Sequence, residues 1–365
     1  MAAISYKCPA CGGPLKWDAA KQTYFCEYCR TKYTQEQLDA LNPMEAQGET
    51  VPEEEVSPSY ETAEKEDGSK VRVYNCPSCG AQIITDETTS SSVCYYCHNP
   101  IVMADSLKGS FKPDSIIPFA IDKKKAKEIF KDWVGKHKYI PKDFYSDSQV
   151  ELLSGVYFPY WIYNADVKGS ASGKGYVDRV WMEHGLGGDM QCTETSVYSF
   201  SKDGEMPVRN ISRIALKKAS KVLCESVAPF SFEKMRPFEL GYLSGYMSEA
   251  RDTESSALSG EIHKEVEEFA KNSLLSDMHD GRYNRTEITN ASIKVIKEDW
   301  KYVLMPVWTL TYKGRDGKMY YFSINGESGK TVGELPVEKN KLITLFFKVF
   351  IPAAAALIAM FHFLG

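Results

Sequence analysis

A chain of 365 residues, 43% of them hydrophobic and 25% charged, has room for two or three globular domains. Its formal net charge of −5 is uneven: between Met44 and Gly68, nine acidic side chains stand against Lys65 alone, leaving the remainder close to neutral. That balance argues against a chain built to hold nucleic acid, which needs a concentrated basic face to neutralise phosphates.

Eight of the ten cysteines form two copies of one pattern. Cys8, Cys11, Cys26 and Cys29 repeat as Cys76, Cys79, Cys94 and Cys97, with the same C-x2-C-x14-C-x2-C spacing. Each copy opens on Tyr-x-Cys-Pro-x-Cys-Gly, at Tyr6 and Tyr74. Two residues between paired cysteines let one tight turn aim both sulfurs at a point. Pro9 and Pro77 pre-set such a turn, and Gly12 and Gly80 tolerate a left-handed exit from it. The spacer is long enough for a β-hairpin that returns the second pair to the first. This is zinc-ribbon spacing, and it predicts two structural Zn²⁺ sites whose four thiolates leave no open coordination position. Disulfides would need an oxidising compartment, and Met1–Lys7 carries no apolar stretch for secretion. Redox-active C-x-x-C motifs usually occur singly.

In chain order, residues 1–43 are expected to form the first ribbon, 44–69 an acidic flexible linker and 70–110 the second ribbon. Trp17, Tyr24, Phe25 and Tyr28 could stack on bases, but in so small a hairpin they read as its core. Residues 111–338 read as an α+β body. Ile116–Ala120 suggests a strand, and Asp122 caps a helix through Gly135 with Ala126, Ile129, Phe130 and Trp133 in one stripe. Strands are expected at 156–167, 175–182 and 193–201, and helices at 214–226 and 253–275. The segment Gly155-Val-Tyr-Phe-Pro-Tyr-Trp161 is echoed by Tyr302-Val-Leu-Met-Pro-Val-Trp308, which suggests two related β-rich units joined by helices. The second echo continues as a hairpin from Val307–Tyr312 to Met319–Ile324, turning at Gly314–Gly317.

Several motifs are set aside. Gly326-Glu-Ser-Gly-Lys-Thr331 follows a strand like a phosphate loop, but Ile324 stands where the first glycine belongs, so it reads as a turn. Gly185–Gly188 lacks dinucleotide-binding spacing, and His184 stands alone beside it. Cys192 and Cys224 have no recognisable His partner, and no paired carboxylates or open metal site can be read. The expectation is therefore no enzyme and no small-molecule substrate.

Residues 339–365 are almost wholly apolar from Leu342 to Leu364. They read as one C-terminal transmembrane helix, with a buried or interfacial helix as the alternative. Lys339 and Lys341 on the near side would place the bulk of the chain on the cytoplasmic face of the cell membrane.

The opening Tyr6-Lys-Cys-Pro-Ala-Cys-Gly-Gly, Phe25-Cys-Glu-Tyr-Cys and Ile117-Pro-Phe-Ala-Ile-Asp resemble a bacterial family, common in Firmicutes, of proteins with a transcription-factor-IIB-type zinc ribbon. So do Gly155–Asp166, Met305-Pro-Val-Trp and Ile324–Val337, which carry the resemblance over nearly the whole chain. It implies ribbon folds and zinc ligands. Some members carry the name of the primosomal replication-restart helicase, a label that implies a phosphate loop this sequence lacks. The combined expectation is a non-enzymatic, membrane-anchored zinc protein whose ribbons bind an unidentified protein partner. The alternative is a nucleic-acid-binding ribbon protein serving transcription or replication.

Overall fold

The computed structural model describes residues 6–41, 61–64, 70–94, 97–107, 111–185, 188–217, 221–276 and 281–364. The expected linker lies outside these, apart from Glu61–Glu64, and so do Leu186 and Gly187 of the glycine cluster. The N-terminal quarter runs β1 (Leu15–Asp18), β2 (Thr23–Cys26), β3 (Lys32–Tyr33) and α1 (Gln35–Leu41). It continues with β4 (Glu61–Glu64), β5 (Lys70–Asn75), β6 (Gln82–Asp86), β7 (Thr89–Val93) and β8 (Pro100–Val102). The body continues as β9 (Ser115–Ile116), α2 (Lys123–Gly135), α3 (Asp147–Glu151), β10 (Ser154–Gly185) and β11 (Gly188–Ile214). Then come α4 (Lys221–Ser226), β12 (Arg236–Pro237), β13 (Met247–Glu249), α5 (Ser255–Ser276), β14 (Arg285–Lys313), β15 (Met319–Asn325), β16 (Thr331–Gly333) and α6 (Lys339–Leu364). The architecture is α+β.

Two compact units emerge: residues 1–160, 216–252 and 303–365 form one, and 161–215 and 253–302 the other. Each contains an amphipathic helix packed on a hairpin. In the first, Asp122 caps α2 by accepting from Lys125 N at 2.7 Å, and the helix buries Ala126, Phe130 and Val134. Phe130 meets Phe322 of the β14–β15 hairpin edge-on, with ring centroids 4.8 Å apart. That hairpin is the expected one, and its register runs from Val307 opposite Asn325 to Lys313 opposite Met319. In the second unit, α5 buries Ile262, Val266, Ala270 and Leu274. The first three pack on Tyr163, Ala165 and Val167 of β10 and Val208 of β11.

The short echo is a structural repeat. Val156 of β10 lies opposite Met247 of β13, and Val303 of β14 lies opposite Ser115 of β9, both in parallel pairings. Outside these, β13 pairs antiparallel with β7 and β9 with β12. The strand order β12-β9-β14-β10-β13-β7 therefore reads alike from its centre outwards. Two residues beyond Ile121 the chain enters α2, and two residues beyond Thr253 it enters α5. Phe130 and Ile262, like Val134 and Val266, hold matching places in the buried stripes.

Three expected elements differ. Residues 156–182 form one continuous strand rather than two. Gly169 and Gly173, in the gap between the two expected strands, let neighbours approach: a Cβ at Gly169 would meet Leu274 and Ile293, and one at Gly173 would strike the Glu287 carbonyl. Of the helix expected over 214–226, the described helical residues are Lys221–Ser226, and Ile214 still belongs to β11.

The third correction concerns the C-terminus. The expected transmembrane helix is overturned: among the described residues no helix is long and apolar enough to cross a membrane. Between Lys348 and His362 lie only 13 apolar residues, including Pro352 and five alanines. They would rise about 20 Å, against roughly 30 Å of hydrocarbon. The cell-membrane, cytoplasm-facing location rested on that anchor and falls with it.

Candidate metal centres

Cys8, Cys11, Cys26 and Cys29 come together, as do Cys76, Cys79, Cys94 and Cys97, with the four sulfurs of each group within 4.8 Å of one another. Cys8 Sγ lies 3.5 Å from Cys29 Sγ, and Cys11 Sγ 3.5 Å from Cys26 Sγ. In the second group the corresponding separations are 3.7 and 3.8 Å. A tetrahedron with 2.3 Å metal–sulfur bonds has edges of about 3.8 Å, so both groups fit a four-thiolate Zn²⁺. None of the ten cysteines is in a disulfide.

The backbone produces this geometry four times over. Gly12 N donates to Cys8 O at 2.8 Å and Gly80 N to Cys76 O at 2.9 Å, and both glycines have positive φ, +71° and +76°. In the second pairs, Arg30 N donates to Cys26 O and His98 N to Cys94 O, each at 2.9 Å. Arg30 and His98 also take positive φ, which the sequence did not signal. In each pair the first cysteine is buried, while its partner is exposed or half-exposed.

Two neighbours of the first centre escaped the sequence reading. The Thr31 hydroxyl lies 3.2 Å from Cys29 Sγ and, with the Thr31 backbone N–H, brings that thiol down to about 6. The Tyr33 hydroxyl lies 3.7 Å from Cys8 Sγ. Their only trace in the sequence is a hydroxyl two and four residues after the last ligand.

Neither ribbon hangs free of the first unit. Trp17 of β1 packs edge-on against Tyr242, ring centroids 4.8 Å apart, and against Tyr24 at 5.1 Å. Trp17 N donates to Ser244 O at 3.0 Å, and Gln22 Nε2 to Phe119 O at 2.7 Å. The second ribbon enters the large sheet through β7: Ser91 Oγ donates to Tyr246 O at 2.8 Å, and Thr88 Oγ1 to Glu249 at 2.7 Å. Its own core gathers Tyr74, Ile83, Ile101 and Met103 around Cys76 and Cys94. Glu61–Glu64, placed in the linker by sequence, pairs with β5.

The remaining cysteines behave differently. Burial pushes the Cys224 thiol up to about 12, so it stays protonated and un-nucleophilic at neutral pH. Cys192 lies on β11 beside Glu183. The glycine-rich segment after β15 is a turn, closed by Gly329 N donating to Asn325 O at 2.9 Å, and it leads into the strand β16 rather than a helix.

No family model matches this chain, and no solved structure matches it. It is 27% identical over 343 residues to the uncharacterized protein YdjG of Bacillus subtilis (strain 168). That likeness covers 94% of this chain and 93% of YdjG, so it spans ribbons and body together. It brings no activity with it. The ribbon-family resemblance thus retains its two four-cysteine clusters and a distant Bacillus relative, while neither the family name nor the helicase label is found.

Proposed function

We propose that this chain is a zinc-binding, non-enzymatic protein that uses its ribbons to contact another protein. The observation that carries the reading is the pair of closed four-thiolate clusters, whose geometry suits a structural metal and leaves no position for a substrate. Docking of Trp17 and Tyr24 on Tyr242 turns one ribbon face inward. Tyr28, between Cys26 and Cys29, is 73% exposed, and the second ribbon presents Ile84, 58% exposed. Exposed aromatic and aliphatic side chains on a rigid scaffold are the usual anchors of protein contacts.

Metal analysis of the purified chain is expected to return two zinc per chain, falling to one in Cys8→Ser and in Cys94→Ser. One or none in the parent overturns the reading. For the partner, affinity capture with the parent and with Tyr28→Ala and Ile84→Ala should show associations that the variants lose. A tight, strongly salt-dependent affinity for single-stranded DNA would replace the protein-contact reading with the nucleic-acid one.

A further inference from the structure

In the second unit, the hairpin of β10 and β11 outruns the strand beside it. Asn284 N donates to Tyr176 O at 2.8 Å, and Asp178 N donates to Asn284 Oδ1 at 2.7 Å. Tyr176 and Asp178 therefore aim their peptide groups at the β14 side of β10, and β14 begins only at Arg285. Alternation along the strand aims the peptide groups of Val180, Met182 and His184 at that same edge. Among the described residues no strand lies there, because β11 pairs with the other edge of β10.

This edge carries none of the usual guards against pairing, such as lysine, proline or a short strand. Residues 178–184 read Asp-Arg-Val-Trp-Met-Glu-His. Val180 is 54%, Trp181 43% and Met182 51% exposed, so apolar side chains stand open on both faces of a two-stranded ribbon. Such a ribbon is marginal by itself.

The order of these residues is complementary to itself. Laid antiparallel against a copy about an axis at Trp181, the segment sets Arg179 opposite Glu183, Val180 opposite Met182 and the two indoles opposite each other. At the ends Asp178 comes opposite His184, whose Nδ1 already bonds Asp189 at 2.6 Å. The backbone agrees with this register. Val180 and Met182, with outward peptide groups, fall in hydrogen-bonded pairs, and Trp181 falls in the closer non-hydrogen-bonded pair. Moving the axis one residue sets Trp181 opposite Arg179 or Glu183, and moving it two sets like charges face to face.

We propose that a second copy of this chain adds to this edge, joining the two hairpins into one four-stranded antiparallel sheet about a two-fold axis at Trp181. Seven residues from each copy make a contact smaller than a standard interface, so the association is of micromolar strength.

The test follows the full, zinc-loaded chain by sedimentation velocity as its concentration rises through the micromolar range. The parent is expected to pass from one chain to two. Arg179→Glu and Glu183→Arg each set like charges opposite at both ends of the contact, and each should weaken association roughly tenfold or more. Mixing these two variants restores opposite charges at both ends, as does combining both substitutions in one chain, so either should associate as the parent does. Both positions are exposed, so circular dichroism of the variants should match the parent. The assignment is overturned if the parent stays a single chain, or if the two single variants associate as the parent does, as pairing through another surface would require. It is equally overturned if neither the mixture nor the double variant restores association.

Discussion

Trp161 and Trp308 do the same work in two copies of one strand. The indole N–H of Trp161 donates to Thr253 O at 2.9 Å, and that of Trp308 donates to Ile121 O at 2.9 Å. Each accepting carbonyl lies two residues before a helix, so each tryptophan ties a strand to the start of the helix in its own unit. A seven-residue resemblance in the sequence thus marks a duplicated supersecondary unit.

The indole contacts can be tested one at a time. Trp308→Phe and Trp161→Phe keep an aromatic ring but strand a carbonyl, which costs about 1–2 kcal/mol. Urea unfolding should show a lower midpoint for each variant. Trp308, only 3% exposed, should be the more sensitive. An unchanged midpoint for Trp308→Phe would refute the tying role.

Docking of the first ribbon depends on Gly241. A Cβ there would lie 2.5 Å from Tyr24 Oη, inside van der Waals contact. Gly241→Ala should therefore loosen the ribbon, at a cost of about 1–3 kcal/mol. Amide exchange in β1 and β2 should speed up, while zinc content should stay at the parent value. Parent-like exchange would mean that the Tyr24–Tyr242 contact is not what holds the ribbon.

Asn325 is a buried side chain with every hydrogen-bonding position used. Its Nδ2 donates to Val227 O and Pro229 O, each at 3.0 Å, and its Oδ1 accepts from Glu327 N at 2.9 Å and Ser328 N at 3.0 Å. Asn325→Asp keeps the shape but sets an anionic oxygen against two carbonyls. It should destabilise by more than about 2 kcal/mol, and more than Asn325→Ala. Thermal unfolding of the two variants gives the comparison, and an Asp variant as stable as the parent would contradict the assigned orientation of the amide.

Tyr312 and Asp143 supply a pH-dependent contact. The Tyr312 hydroxyl donates to Asp143 Oδ2 at 2.7 Å, and this bond leads the effects that hold the carboxyl below its usual range. A depressed folded-state value contributes stability that is present above the unfolded value of about 3.9 and is lost as pH falls through the folded one. The stability difference between parent and Tyr312→Phe should thus be larger at pH 7 than near pH 3. Equal differences at both values would remove Asp143 from the account.

The parts legible in the sequence were those set by neighbours along the chain. The cysteine spacing, Gly12 and Gly80, the Asp122 cap and the Gly314–Gly317 hairpin turn each depend on a few consecutive residues. The gap expected between two strands holds glycines that serve tertiary contact, as Gly173 does beside Glu287, and a single strand runs through it. The apolar C-terminus misled because its composition resembles a membrane span, while its uninterrupted length falls short of one.

By itself the sequence determined two four-thiolate centres, because ligand spacing and turn chemistry are local and metal geometry is unforgiving. It also determined that a strand motif occurs twice. Only the tertiary structure decided that both ribbons are built into one unit, through residues as distant as Tyr242 and Ser248. Only the tertiary structure brought His263 to Glu298, because that meeting needs a helix laid across a strand. Contacts of that kind depend on how surfaces fit, and no spacing along a single chain announces them.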